Sequence, residues 1–213
     1  MARPVTIFTG QWADLPMEEM CQTAQKMGYE GLEIASWGQI DVEKAAKDEN
    51  YVKELKDTLA KYGLGCWAIG MHLPGQCVGD AEQWAYDPRL DNFAPSALAG
   101  KPEEIRAWGT QQMKYAAQAA KNMGVDTVTF FMGSPIWKMW YSFPQTSEEQ
   151  VEAGYQRIKE LWSPIMDVYD ECGVKLALEV HPTEIAYDYW STKSCWRPLT
   201  TDLPWASTLT PAT

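Results

Sequence analysis

Positive charge is in short supply in this chain. Eighteen Lys and Arg residues against 29 Asp and Glu leave a net charge of -11, which argues against a nucleic-acid or anionic-membrane partner, since both need basic patches. Long hydrophobic runs are missing: the apolar stretches have the length of single strands, too short to span a bilayer. The N-terminus, Met-Ala-Arg-Pro, runs straight into a strand without the apolar core of a secretory signal. Paired cysteines are missing too. Cys21, Cys66, Cys77, Cys172 and Cys195 are odd in number, widely scattered and never in a C-x-x-C, so neither a zinc ribbon nor a redox pair is indicated. They read as reduced thiols of a cytoplasmic protein. Histidine is scarcer still, with His72 and His181 alone.

The 213 residues suffice for one large domain and an ordinary core. Eleven tryptophans are unusual. Aromatics near strand ends can line a sugar pocket, although most of these read as packing residues.

In chain order, Val5–Gly10 reads as a strand with Gln11 and Trp12 at its C-terminal end. Pro16 opens a helix with Glu18 and Glu19 in its first turn, where they suit the helix dipole. Gly31–Ser36 is a second strand, with Glu33 on the face of Gly31 and Ala35. Asn50–Tyr62 is a helix. Cys66–His72 is a third strand, with Cys66, Ala68, Gly70 and His72 on a small, then polar face and Trp67, Ile69 and Met71 on a bulky one. Residues 73–101 form a long connection, functional or carrying short helices of its own. Pro102 opens a long helix, Asp126–Gly133 is the fourth strand, and a loop with Trp137, Trp140 and Tyr141 follows. Ser147 and Gln150 form a capping box for the next helix, which Pro164 should kink or divide.

The fifth strand, Lys175-Leu-Ala-Leu-Glu-Val-His-Pro182, is the most telling stretch. Leu176, Leu178 and Val180 share one face; Ala177, Glu179 and His181 share the other. A glutamate and a histidine thus point the same way at the C-terminal end of a strand, where α/β sheets place their chemistry.

A weak repeat runs through Lys26–Ile34, Lys61–Ile69, Asn122–Phe130 and Glu171–Glu179. Each is a helix end, a glycine at C′, one apolar residue and a strand. Strict β–α alternation predicts a parallel sheet with right-handed crossovers. The inferred inner face (Glu33, Ala68, Gly70, His72, Thr127, Thr129, Ala177 and Glu179) is small or polar, which suits the inside of a (β/α) barrel better than a doubly wound sheet.

Three segments resemble the sugar phosphate isomerase/epimerase family of the xylose isomerase-like TIM barrels: Gly28-Tyr-Glu-Gly-Leu-Glu-Ile-Ala35, Met71-His72, and, most specifically, Glu179-Val-His-Pro-Thr-Glu-Ile-Ala-Tyr-Asp188. The resemblance spans Val5 to about Lys193. It implies an α/β fold, a partial (β/α)8 barrel of about five parallel strands with four intervening helices. It implies Glu179 as catalytic residue and first ligand of a divalent metal (manganese, magnesium or zinc), with His72, His181, Glu33 and Trp12 as substrate-binding residues. The implied activity is isomerisation or epimerisation of a sugar, sugar phosphate or keto-sugar, by proton abstraction next to a carbonyl and an enediolate that the metal stabilises. A lyase or deglycosylase acting on oxidised glycosides would use the same enolate chemistry. The endonuclease branch of the superfamily is disfavoured by the acidic charge.

The sequence departs from the family after the fifth strand. The Asp-Pro-Ser-His segment, a further histidine and a final glutamate of such barrels are not found, and one glutamate does not supply the roughly three protein ligands that a catalytic metal needs. Residues 1–193 therefore read as the N-terminal part of the barrel, and 194–213 as an irregular tail without helical period, of the composition an out-of-frame segment would have. Such a chain is expected to be inactive alone, to be an inert fragment or a half-barrel in need of a partner chain, and to self-associate through the exposed edges of strands one and five.

Overall fold

The computed structural model describes residues 4–82, 84, 86–136, 145–182, 184–199 and 209–211. Its centre is one sheet of parallel strands in strictly sequential order: β1 (Thr6–Phe8), β2 (Gly31–Ala35), β3 (Gly65–Gly70), β4 (Thr127–Phe130), β5 (Lys175–Leu178) and β6 (Leu209–Pro211). The helices are α1 (Met17–Met27), α2 (Val42–Lys47), α3 (Glu49–Lys61), α4 (His72–Asp80), α5 (Pro102–Met123), α6 (Glu148–Cys172) and α7 (Tyr189–Leu199). The five expected strands are all present in a partial (β/α) barrel.

The repeat seen in the sequence is a repeated helix stop. Gly28, Gly63, Gly124 and Gly173 all have φ between 67° and 86°, a left-handed conformation that costs glycine nothing. After each, the amide of the next residue reaches back to a helix carbonyl: Tyr29 to Ala24, Leu64 to Leu59, Val125 to Ala120 and Val174 to Tyr169, at 3.0–3.1 Å apart from Val125 at 2.8 Å. This is the Schellman closure, and its apolar residue turns the chain back into the core. The α6 start is the expected capping box, with both Ser147–Gln150 bonds formed.

The main core lies between sheet and helices. Leu32, Ile34, Ile69, Val128, Phe130, Leu176 and Leu178 meet Met20, Leu55, Leu59, Met113, Ala116, Ile158, Trp162 and Ile165 there. Trp162 is fully buried and donates its Nε1–H to the Met132 carbonyl at 3.1 Å, so the largest core side chain also satisfies its polar atom.

Four sequence expectations need correction. First, β3 carries a bulge: Leu32 pairs with Cys66 but Glu33 with Ala68. Trp67 is the extra residue, and its indole lies over Gly31 and Gly65 while Cys66 packs against the main core. The two-residue alternation therefore holds from Ala68 onward and not at Cys66 and Trp67. Second, the third strand stops short of His72, which is the first residue of α4 rather than the last of a strand; the connection carries short helices of its own, as expected. Third, of the two outcomes expected at Pro164, division does not occur: α6 is one helix from Glu148 to Cys172. Fourth, order does not stop at Lys193: α7 continues to Leu199, and Leu209–Pro211 pairs with Leu176–Leu178. Thus β5 is an interior strand, and β1 and β6 stand at the sheet edges. The aromatic loop with Trp137, Trp140 and Tyr141 lies outside the described residues.

Candidate functional site

The C-terminal ends of β2 to β5 bring the predicted polar residues together. Because β2, β3, β4 and β5 are adjacent and parallel, residues of inward parity stack in rows across the sheet: Phe8 beside Glu33, Glu33 beside Ala68, Gly70 beside Thr129, and Thr129 beside Ala177. Thr129 donates its hydroxyl to Glu33 Oε1 at 2.5 Å, bridging β2 and β4. The helical start at His72 then swings its ring toward the fifth strand. His72 Nε2 lies 2.9 Å from Glu179 Oε2.

His72 is 5% exposed and ringed by aromatic edges. Phe8, Trp37 and Phe131 stand at 5.2, 5.9 and 4.7 Å between ring centroids. Gly70 makes this approach possible, since a Cβ there would stand 2.7 Å from the Phe8 ring and 3.4 Å from both Glu33 Oε1 and His72 Nδ1. Burial pushes the His72 pKa below its usual value, while the carboxylates of Glu179 and Glu33 pull in the opposite direction. A neutral imidazole facing a carboxylate must donate through Nε2, which leaves Nδ1 as an acceptor. Nδ1 is buried and has no hydrogen-bond partner among the described residues. Glu179, by contrast, keeps about half of its side chain in solvent.

His181 follows Glu179 at the strand end. Its ring lies 4.9 Å from that of Phe131, so Phe131 touches both histidines. Trp12 occupies a short 3-10 turn, Gly10–Trp12, after β1. Its side chain packs against the main core, its carbonyl accepts the Gln39 amide at 2.6 Å, and it is not among the rings against His72. The structure thus gathers Glu33, His72, Glu179 and His181, and sets Trp12 to one side.

Phe8, Trp37, Thr129 and Phe131 were not singled out as site residues. The signal for three of them lay in continued alternation: Glu33, Ala35 and Trp37 on one strand, Thr129 and Phe131 on another. Strand parity persists for a residue or two past the last ladder bond.

A divalent metal fits these residues only in part. Among the described residues no three His, Cys, Asp or Glu side chains gather around one point, and one oxygen of Glu179 is already engaged by His72. Glu179 can offer a single carboxylate, short of the three protein ligands of a typical catalytic site. No step is assigned to a metal on this chain.

Residues 21–200 match the family described as the xylose isomerase-like TIM barrel. No curated protein matches the chain significantly. Among solved structures, the Escherichia coli 3-keto-D-glucoside 4-epimerase superposes with a TM-score of 0.64 at 13% identity, covering 99% of this chain and 67% of that one. The D-psicose 3-epimerase of Clostridium cellulolyticum H10, solved with D-tagatose, gives 0.58 at 15% identity, covering 98% and 62%. A zinc-bound IOLI protein gives 0.58 at 11%, covering 98% and 62%, and a barrel of the family from Mycobacterium smegmatis was solved with magnesium. The chain therefore spans about two thirds or less of the length of these structures.

Proposed function

Because this chain belongs to the xylose isomerase-like TIM barrel family, we propose that it carries part of the active site of a sugar isomerase or epimerase, one that moves a proton next to a carbonyl. The observation that carries this reading is the His72–Glu179 contact at the strand ends, beside Glu33 and inside an aromatic wall. Glu179 has the exposure to reach a substrate and acts as the base toward the C–H. His72, held neutral, orients it through Nε2–H, as the partner of a general base must. Glu33 and His181 contact sugar hydroxyls. Similar solved structures include one with zinc and one with magnesium, and in a complete site Glu179 would be one ligand of such an ion. The remaining ligands come from outside the described residues. A keto-sugar substrate, a cytoplasmic setting and self-association through the β1 and β6 edges belong to the same proposal.

The test is proton exchange. The chain is incubated with D-fructose in deuterium oxide, with and without manganese, and the carbon next to the carbonyl is followed by NMR. Deuterium incorporation that disappears in Glu179→Gln is expected. Incorporation no faster than with Glu179→Gln under both conditions would sink the reading, and loss of the aglycone from an oxidised glycoside supplied in place of D-fructose would turn it toward lyase chemistry.

A further inference from the structure

The four residues after β4 are held by far more than a turn requires. The Met132 carbonyl takes the Trp162 indole N–H at 3.1 Å, and the Gly133 carbonyl takes the Ile185 amide at 3.3 Å. Two successive amides go to two different carboxylates: Gly133 N–H to Glu184 Oε2 at 2.5 Å, and Ser134 N–H to Asp80 Oδ1 at 2.6 Å. Gly133 has φ +76°, and a Cβ there would stand 2.6 Å from the Gln76 carbonyl oxygen, so its backbone can turn only as glycine.

The origin of the two carboxylates gives the arrangement its meaning. Asp80 ends α4, the helix that begins with His72, and Gln76 of that helix holds its second oxygen at 2.8 Å. Glu184 is 2% exposed and belongs to the turn after β5, its amide bonded to the His181 carbonyl at 2.9 Å. Each carboxylate is thus fixed to the element that carries one histidine, and both grip the backbone just beyond Phe131. The ring of Phe131 stands against both histidines. Burying one carboxylate and largely covering another is costly unless each receives strong hydrogen bonds. Neutral side chains would satisfy the same amides at less desolvation cost, with a weaker hold.

We infer that Asp80 and Glu184 are positioning residues: they clamp the Gly133–Ser134 backbone from two sides and so fix Phe131 as the spacer that sets His72 and His181 relative to each other. That these histidines serve a carbohydrate rests on the function proposed above, but the clamp does not, and it is tested without activity.

With two histidines in the chain, the ring signals of 15N-histidine-labelled full-length protein are easily assigned. The expected result is a crossed one. Glu184→Ala moves the His72 ring signals as well as those of His181, and Asp80→Ala moves those of His181 as well as His72. Glu184→Gln and Asp80→Asn, which keep an acceptor oxygen, return them toward wild type. Each Ala variant disturbing only the histidine on its own side would overturn the proposal, because a purely local role predicts that pattern. If the Ala variants do not fold, hydrogen exchange of the unaltered protein decides. The Gly133 and Ser134 amides should be as protected as that of Phe130 in β4, and exchange at the rate of an exposed loop would overturn the clamp. A clamp that passes while the D-fructose exchange fails refutes only the function, and the reverse outcome refutes only the clamp.

Discussion

His72 Nε2 and Glu179 Oε2 meet at 2.9 Å although 107 residues separate them in the chain. The contact spans β4, since His72 follows β3 and Glu179 follows β5. It joins a nearly buried imidazole to a carboxylate that is still half in water; in the function proposed above, that leaves the glutamate within a substrate's reach and the histidine packed beside it.

The first prediction concerns that pair. Burial lowers the His72 pKa, and Glu179 is the main influence opposing it. Glu179→Gln removes the negative charge and leaves desolvation unopposed by it, so the His72 midpoint falls further. The check is an NMR pH titration of the two histidines. A His72 midpoint that stays put or rises would contradict the assignment. Because the folded pKa is depressed, the His72 contribution to stability is present above its unfolded pKa and lost as pH falls through the folded one.

Asp80 gives a pH dependence of opposite sign. Burial raises its carboxyl from 3.8 to about 6, against the hydrogen bonds from Gln76 and Ser134. A raised carboxyl pKa means that the folded state holds the proton longer than the unfolded one. Its contribution is full below about pH 3.8 and declines as pH rises through about 6, by no more than about 3 kcal/mol. Urea denaturation of Asp80→Asn should lack this decline, and the same pH slope in variant and wild type would refute it.

Gly75 supplies a packing test. A Cβ at this position would run into the Phe131 carbonyl oxygen, which is backbone and cannot rotate away. Gly75→Ala should therefore destabilise the fold by about 1–3 kcal/mol or more, despite alanine's better helix propensity. Chemical denaturation checks this. A neutral or stabilising effect would show that α4 sits further from β4.

Much of this was legible from sequence where local chemistry decides the outcome. The four glycine stops, the Ser147 capping box and the inward faces from Ala68 onward follow from residue type and spacing alone. The bulge at Trp67 was not legible, because nothing in Gly65-Cys-Trp-Ala-Ile marks where one strand gains a residue on its neighbour. Nor was α4, since Leu73-Pro-Gly-Gln-Cys-Val-Gly79 has the composition of a loop. Its glycines serve another purpose: Gly75 and Gly79 let the helix press on the backbone of residues 131–133, a tertiary demand that overrides propensity. In the same way Asp80 and Glu184 look like ordinary surface acids until the fold buries them against two amides.

The sequential strand order has a consequence for how the protein is made. Each new strand docks beside the one before it, so nothing already placed waits for a distant segment. As the chain leaves the ribosome, Glu33 is available first of the gathered polar residues, then His72, then Thr129 with Phe131, and Glu179 and His181 last. Domains tend to form as they are synthesised, and neighbour-by-neighbour pairing keeps loop-closure costs low. The histidine pocket can thus be walled by Phe8, Trp37 and Phe131 before its glutamate exists, and the arrival of β5 sets the Glu179 carboxylate against an imidazole already packed among aromatic rings.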